Sequence, residues 1–151
     1  MLHKHRRRGS AVAGLAGAAL HAVCDGPQWE LTLFGGHTDG FVLSPSAWYL
    51  KGGAWHEVTM KYPHVFAFCT LLPDGRVMLG GGSVEAFGIG QSWGVEIYDP
   101  ATHSFTAEGI LDRKRAGASA LALPDGKVLV SGNWYAPDAM EVYEPGCKRI
   151  D

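Results

Sequence analysis

The residues that could do chemistry lie in the long connections between the apolar segments of the chain. Imidazole, carboxylate, amide and guanidinium groups can hydrogen-bond a polar ligand, and exposed Trp and Tyr rings anchor proteins and sugar rings. This combination predicts a binding surface. Its candidate residues are His37, Asp39, His64, Gln91, Trp93, Arg113, Arg115, Asn133, Trp134 and Tyr135.

Patterns for catalysis or metal binding are weak in this sequence. There is no H-E-x-x-H segment. His37 and Asp39 could supply two metal ligands, which alone are too few for a site. Residues 88–94 contain Gly-x-Gly but not the later glycine of a dinucleotide-binding turn, so they do not predict a phosphate loop. We therefore predict no catalytic residue, no metal and no cofactor.

An internal repeat predicts the elements that hold these connections. The segment LPDGRVMLGGGS (72–83) recurs as LPDGKVLVSGNW (123–134), and VEIYDP (95–100) recurs as MEVYEP (140–145). A fainter earlier copy of the glycine-rich segment is LTLFGGH (31–37). The period is about 50 residues, which gives three units in the chain.

Each unit predicts four antiparallel strands. Asp-Gly at 74–75 and at 125–126 lies between two apolar runs, and it is a strong hairpin signal because both turn residues tolerate positive φ. The segment DPATH (99–103) predicts a second turn with proline at a favoured position. The 21 glycines and 8 prolines agree with many short strands joined by turns. The fold class is therefore predicted to be all-β.

Units of this size cannot bury both faces of a sheet alone, so they must stack, and radial stacking produces the blades of a propeller. The pattern resembles the kelch repeat, and the resemblance implies a kelch-type, galactose-oxidase-like β-propeller of about three blades in an incomplete ring. It rests on the glycine pairs that end the second strand (Gly35-Gly36, Gly81-Gly82 and the degenerate Ser131-Gly132), on the VEIYDP and MEVYEP segments, and on an aromatic residue in the fourth strand (Trp55, Phe105).

The resemblance also implies the blade boundaries, which are 7–58, 59–107 and an incomplete third blade at 108–151. An open arc leaves apolar flanks and the strand at 140–144 exposed, so self-association that completes the ring is expected. Aromatic residues within the repeats are expected to pack within and between blades rather than to bind: Tyr49, Trp55, Tyr98, Phe105 and Tyr143.

Two functions are compatible with this fold. The leading hypothesis is a non-catalytic binding module whose long-loop face recognises a glycan or a protein. The alternative is a sugar-processing enzyme of the kelch mutarotase or epimerase kind, with His64, Arg113 or Arg115 near the axis as acid, base or carboxylate-holding groups. A deep pocket with a His or Glu beside an Arg would favour the enzyme, whereas a broad aromatic surface would favour binding.

The charge distribution limits the possible partners, and the N-terminal segment bears on the cellular compartment. Four of the 13 Lys and Arg residues lie in HKHRRR (3–8), so the remainder is acidic and a nucleic-acid partner is not expected. Residues 1–24 resemble a secretory signal, which would make the protein secreted or periplasmic. Alternatively, RRGSAVAG (7–14) is a strand that parallels KRAGASALAL (114–123), and the protein is then cytoplasmic. No segment has the ~18 uncharged apolar residues of a membrane span.

The cysteines are expected to have no special chemistry. Cys24, Cys69 and Cys147 are far apart and lack C-x-x-C spacing, which predicts neither a disulfide framework nor a zinc site. Cys69 lies in the apolar run VFAFCTLL (65–72) and is interpreted as a buried thiol that packs like a small apolar side chain.

Overall fold

The chain forms antiparallel β-sheets. The computed structural model describes residues 22–25, 31–38, 42–85 and 90–147, with backbone alone for the first strand. No helix long and apolar enough to span a membrane occurs within these ranges. The strands are β1 (Ala22–Asp25), β2 (Leu31–Phe34), β3 (Ser46–Lys51), β4 (Ala54–Thr59), β5 (Phe68–Leu71), β6 (Val77–Gly80), β7 (Ser92–Asp99), β8 (Ser104–Arg115), β9 (Ser119–Ala122), β10 (Val128–Ser131) and β11 (Met140–Tyr143).

These strands make three consecutive meanders. The first sheet contains β1 to β4 and the second β5 to β8, each in chain order, while the third contains β9, β10 and β11. The Asp-Gly hairpins form where the repeat predicts them. Gly75 and Gly126 both have a φ of 87°, and each preceding aspartate accepts a hydrogen bond from the backbone N–H two residues later.

The sheets follow one another like neighbouring blades. The first strand of the second sheet, β5, contacts both β1 and β9, whereas the outer strands β4 and β8 contact each other. This arrangement is an open, partial propeller. The prediction of an all-β fold made of about three antiparallel blades is confirmed.

Alternation along the strands fills two separate cores. In β6, Val77 and Leu79 pack towards the first sheet and Met78 packs towards the third. Burying one such side chain contributes about 1.5–3 kcal/mol relative to leaving it exposed, so each face of the second sheet is stabilised by a different neighbour. The core between the first two sheets contains Phe34, Ala47, Met60, Val77, Leu79, Tyr98 and Phe105, and the core between the last two contains Phe68, Leu72, Met78, Val95, Ile97, Leu111, Val128, Val130 and Tyr143.

Tyr49 does not occupy the position that the repeat suggests. Tyr98, Phe105 and Tyr143 are buried as expected, and Tyr98 pairs with Val77 across the sheet. Tyr49 instead pairs with Thr32, one residue out of step with Tyr98, which turns its ring to the opposite face. There it stacks on His103, with ring centroids 3.7 Å apart. The comparison of Tyr49 with Tyr98 and Tyr143 is therefore wrong by one residue.

Two of the predicted blade boundaries do not coincide with the ends of observed strands. The division between 107 and 108 falls inside β8, because Ser104–Arg115 continues without interruption across it. The first strand of the first sheet is Ala22–Asp25, whereas the strand expected at 7–14 lies outside the described residues. The partition of the chain into blades therefore stays a prediction at its edges.

Cys69 corrects the expectation for the cysteines. It is disulfide-bonded, whereas Cys147 is a free, exposed thiol. Cys69 lies in β5, and this strand contacts the first strands of both neighbouring sheets. Separation along the sequence therefore does not keep cysteines apart in this fold, because the first strands of successive blades meet.

Candidate functional site

Glycines at the end of β6 bring three connections together. Gly81 and Gly82 have φ values of 67° and 94°, which residues other than glycine rarely adopt. The N–H of Gly82 donates to the carbonyl of Arg115 at 2.6 Å, and its carbonyl accepts from Ser92 N–H at 2.8 Å. A Cβ on Gly82 would lie 2.7 Å from the carbonyl oxygen of Val65. The segments around these three residues therefore meet at one strand end.

Asn133 joins two of these segments to its own loop. Its Oδ1 accepts a hydrogen bond from Gln91 Nε2 at 2.7 Å, and its Nδ2 donates to Gln91 Oε1 at 3.1 Å. The same Nδ2 donates to the carbonyl of Lys114 at 2.9 Å. The two amides therefore satisfy each other and fix the relative positions of the loops rather than facing outward.

Large aromatic side chains surround this amide pair and remain exposed. Trp93 and Trp134 are each 46% exposed, and Tyr135 is 73% exposed. Lys114 Nζ lies 4.9 Å from the centroid of the Trp93 ring, a cation–π distance. Trp134 rests on Phe66, with ring centroids 4.5 Å apart. We call Trp93, Lys114, Trp134 and Tyr135 the aromatic surface.

His64 and Glu96 form a fully buried pair beneath the loops. His64 Nε2 lies 2.8 Å from Glu96 Oε1, and both side chains are 0% exposed. His64 Nδ1 lies 3.0 Å from the carbonyl of Gly81, and this carbonyl can only accept, so Nδ1 carries a proton. Glu96 Oε2 also accepts from the N–H of Lys61 at 2.9 Å. The pair therefore anchors the connection between β4 and β5.

Arg115 and Glu141 repeat this arrangement in the third sheet. Arg115 Nη1 donates to the carbonyl of Gly132 at 2.9 Å, and Gly132 is the repeat equivalent of Gly81. Arg115 Nη2 lies 3.3 Å from Glu141 Oε2, with side chains 1% and 8% exposed. Arg115 Nε and both Glu141 oxygens have no hydrogen-bond partner within the described ranges, so this second pair is held by charge rather than by hydrogen bonds.

The structure divides the predicted site residues into groups. Gln91, Trp93, Asn133, Trp134 and Tyr135 lie together at the loop end of the second and third sheets. The remaining predicted residues lie elsewhere: His64 and Arg115 are buried beside Glu96 and Glu141, Arg113 is exposed on β8, His37 is half-buried beside Thr38, and Asp39 lies outside the described residues.

Three important side chains were missed from the sequence. Lys114 lies between the two predicted arginines, and only the position of the Trp93 ring shows that it belongs to the surface. Glu96 and Glu141 have a clear sequence signal, because both occupy the second position of the repeated VEIY and MEVY segments. A carboxylate repeated within an apolar strand predicts a buried partner, since isolated charges are rarely buried.

Residues 90–94 spell G-Q-S-W-G, which matches the G-x-S-x-G pattern of a nucleophile elbow. The elbow needs a sharp turn from a strand into a helix, whereas Ser92 begins strand β7. Ser92 Oγ accepts a hydrogen bond from the N–H of Gly94 at 3.1 Å. The pattern therefore has the wrong structural context for an activated serine.

Comparison with known proteins identifies the fold. No protein-family model and no curated protein matches the sequence. A solved structure of a novel fungal alcohol oxidase of the AA5 family, in complex with copper, matches with a TM-score of 0.63 and 21% identity. The chain has a galactose-oxidase-like β fold. The match covers 81% of this chain and 31% of the fungal one, so the chain spans about a third of that protein.

The described part of this chain contains no group of side chains that could bind copper as the fungal oxidase does. Nowhere in residues 22–25, 31–38, 42–85 and 90–147 do three His, Cys, Asp or Glu side chains come together in a way that could hold a metal. A cavity of about 190 Å³ between β8 and β11 contains Asp112, Glu141, Glu144 and Cys147 but no histidine. These residues do not fit a copper centre, and we derive no oxidase step.

Proposed function

We propose that this chain is a non-catalytic binding module of kelch-type repeats that recognises a glycan through the aromatic surface. The observation that carries the proposal is the exposure of Trp93, Trp134 and Tyr135 around the fixed Gln91–Asn133 amide pair. Exposed aromatic rings on a rigid scaffold are typical of binding sites, because they supply large contact areas with little loss of side-chain entropy.

The chemistry of this surface suits a sugar ring. The face of an aromatic ring is electronegative, so the weakly positive C–H groups on one side of a pyranose can stack on it. Hydroxyl groups at the edge of the sugar then need hydrogen-bond partners. Lys114 stands beside Trp93, so an ammonium donor is at hand.

The size of the surface favours a glycan over a protein. A stable protein interface usually buries about 800 Å² on each partner, from roughly 20–30 residues. The aromatic surface is a group of four large side chains, and its amides are already bonded to each other. A protein partner is the competing outcome of the experiment below.

Burial of the expected acid and base groups weighs against the mutarotase alternative. Both nitrogens of His64 are engaged, by Gly81 and by Glu96, and the guanidinium of Arg115 bonds two carbonyls and faces Glu141. An acid or base must reach its substrate within hydrogen-bond distance. These contacts leave Arg113 as the exposed member of the expected catalytic set.

The disulfide at Cys69 bears on the compartment. Such bonds persist in oxidising environments and are rare in the cytosol. We therefore include in the proposal that the protein folds outside the cytosol.

A glycan array probed with the whole chain tests the proposed function, followed by calorimetric titration of the strongest ligand. We expect Trp93→Ala and Tyr135→Ala to weaken binding at least tenfold, which corresponds to about 1.4 kcal/mol. Val42→Ala removes an equally exposed side chain from a different connection and should leave the affinity unchanged. Binding of a purified protein but of no glycan would contradict the glycan proposal, and so would glycan binding that both aromatic variants retain.

A further inference from the structure

An irregularity in the pairing of β7 with β8 brings Lys114 to the ring of Trp93. The two residues that flank Trp93 in β7 pair with residues 110 and 115 of β8, so residues 111–114 lie opposite Trp93 alone. Bulges in a strand re-aim side chains and are over-represented next to active sites. Here the ammonium of Lys114 lies 4.9 Å from the centroid of the Trp93 ring. The pairing of the two strands therefore brings this lysine to the ring.

The ammonium of Lys114 is not paired with a carboxylate. Lys114 is exposed, and no ion pair within the ranges that the structure describes includes it. Asp112, a carboxylate of the same bulge, lines the cavity that also contains Glu141. The face of the Trp93 ring stabilises the positive charge but gives the three N–H groups of the ammonium no lone-pair acceptor. The charge is therefore available to a ligand.

The amide oxygens near this ammonium already accept hydrogen bonds. Asn133 Oδ1 accepts from Gln91 Nε2 and from the N–H of Tyr135, and Gln91 Oε1 accepts from Asn133 Nδ2. The carbonyl of Lys114 accepts from the same Nδ2. The groups left for a ligand are the ammonium of Lys114 and the indole N–H of Trp93, which only donate, and the hydroxyl of Tyr135. This balance favours a ligand that supplies acceptors.

We propose that the glycan recognised by the aromatic surface is anionic, with a carboxylate or sulfate group of the sugar bound by the ammonium of Lys114 beside Trp93. The inference rests on the proposed function, because it names the class of glycan that the same surface takes. Hydrogen bonds between two ionised groups are roughly twice as strong as those between neutral groups. A neutral glycan offers the ammonium only hydroxyl oxygens and is therefore bound more weakly.

A glycan array made of matched pairs tests the inference. Each pair consists of a uronic acid oligosaccharide and its carboxyl-reduced form, or of a sulfated oligosaccharide and its desulfated form. In the pairs that the whole chain recognises, we expect the acidic member to bind at least tenfold more tightly than the neutral member. The difference should shrink at high salt, because exposed charges are screened. The pairs that show the preference identify the anion as a carboxylate or a sulfate.

Variants of Lys114 separate its charge from its packing. Lys114→Met keeps an unbranched stem against Trp93 without the ammonium, so it should bind the two members of a pair equally. Lys114→Arg keeps the charge and should retain the preference. Lys127→Met changes the net charge by the same amount as Lys114→Met but removes an ammonium that lies beside Asp125, in a different turn, and should also retain the preference. Circular dichroism checks that each variant is folded.

The outcomes separate this inference from the proposed function. Equal binding of acidic and neutral members, or a preference that Lys114→Met retains, would overturn the anionic glycan and leave glycan binding in place. Binding of no glycan, or glycan binding that both Trp93→Ala and Tyr135→Ala leave unchanged, would refute the proposed function and this inference with it.

Discussion

Glu96 and Glu141 occupy equivalent positions in the third strands of the second and third sheets, and each faces a buried nitrogen-bearing side chain from the segment just before its own sheet. Glu96 pairs with His64 and Glu141 pairs with Arg115. The two partners also contact equivalent glycine carbonyls, at Gly81 and Gly132. A histidine and an arginine thus perform the same structural task in successive repeats.

Breaking the His64–Glu96 pair should destabilise the protein strongly. Removing one member leaves the other buried without its partner, which typically costs about 3–5 kcal/mol. Urea unfolding of His64→Ala, Glu96→Ala and the double variant measures the loss, and we expect the double variant to lose less than the two single losses combined. Arg76→Ala breaks the exposed Asp74–Arg76 pair and should cost less than about 1 kcal/mol. Fully additive losses would contradict a direct pair.

Gly82→Ala should lower the melting temperature much more than Gly126→Ala. Both glycines have positive φ, at 94° and 87°, so each substitution strains the backbone. Only at Gly82 would the new Cβ also lie 2.7 Å from a carbonyl oxygen, whereas Gly126 has nothing within 4 Å. Thermal unfolding followed by circular dichroism compares the two variants. Equal shifts would show that the connections do not meet at Gly82 as described.

Tyr143 should make the protein less stable in alkali. Burial, together with the charges of Glu108, Cys147 and Glu141, raises the pKa of Tyr143 to about 12 from its ordinary value of 10.0. Between pH 10 and pH 12 the folded chain holds a proton on Tyr143 that the unfolded chain has released. The contribution of neutral Tyr143 to the free energy of unfolding is therefore complete below pH 10 and is lost as the pH rises towards 12. Urea midpoints from pH 9 to 12 should fall less steeply for Tyr143→Phe. Parallel curves for the two proteins would refute the assignment.

Asn133→Ala should loosen the loops that carry the aromatic surface. The change removes the reciprocal bonds to Gln91 and the bond to the carbonyl of Lys114, with an expected loss of about 1–3 kcal/mol. Hydrogen exchange should become faster in residues 114–117 and 133–135. Thr102→Ala removes an exposed hydroxyl bond to Ser104 in a distant turn and is the matched control. Unchanged exchange in both variants would mean that Asn133 does not join the loops.

Cys69 and Cys147 should differ in reactivity. A thiol reagent added under native, non-reducing conditions should label Cys147 and spare Cys69. Reduction should then expose Cys69 and lower the free energy of unfolding by about 2–4 kcal/mol. Cys147→Ser should show the same loss on reduction, because its thiol takes no part in the bond. Labelling of both thiols before reduction would refute the disulfide.

The strands were predictable because their signals are local and repeated. Asp74-Gly75 and Asp125-Gly126 each define a hairpin without reference to the rest of the chain. Tyr49 was misplaced because Trp48 stands where the later units have Glu96 and Glu141, so no glutamate in the third strand fixes the alignment and nothing in the sequence reveals a slip of one residue. Such a slip exchanges the two faces of a strand completely.

The site was less predictable because exposure depends on distant partners. Histidine is a common ligand-binding residue, but His64 is buried against Glu96, which lies 32 positions later in strand β7. Lys114 was passed over in favour of its neighbours, since only the folded position of Trp93 distinguishes it. The exposure of Trp134 and Tyr135 was predictable because they follow a strand end in a loop without an apparent core to fill.

Both buried pairs are contained within a single repeat, and this has an evolutionary consequence. The first pair and its carbonyl contact lie between residues 64 and 96, and the second between residues 115 and 141. A gene segment that encodes one repeat therefore carries both members of its own pair. Duplication or exchange of whole repeats would therefore keep each buried carboxylate together with its own partner.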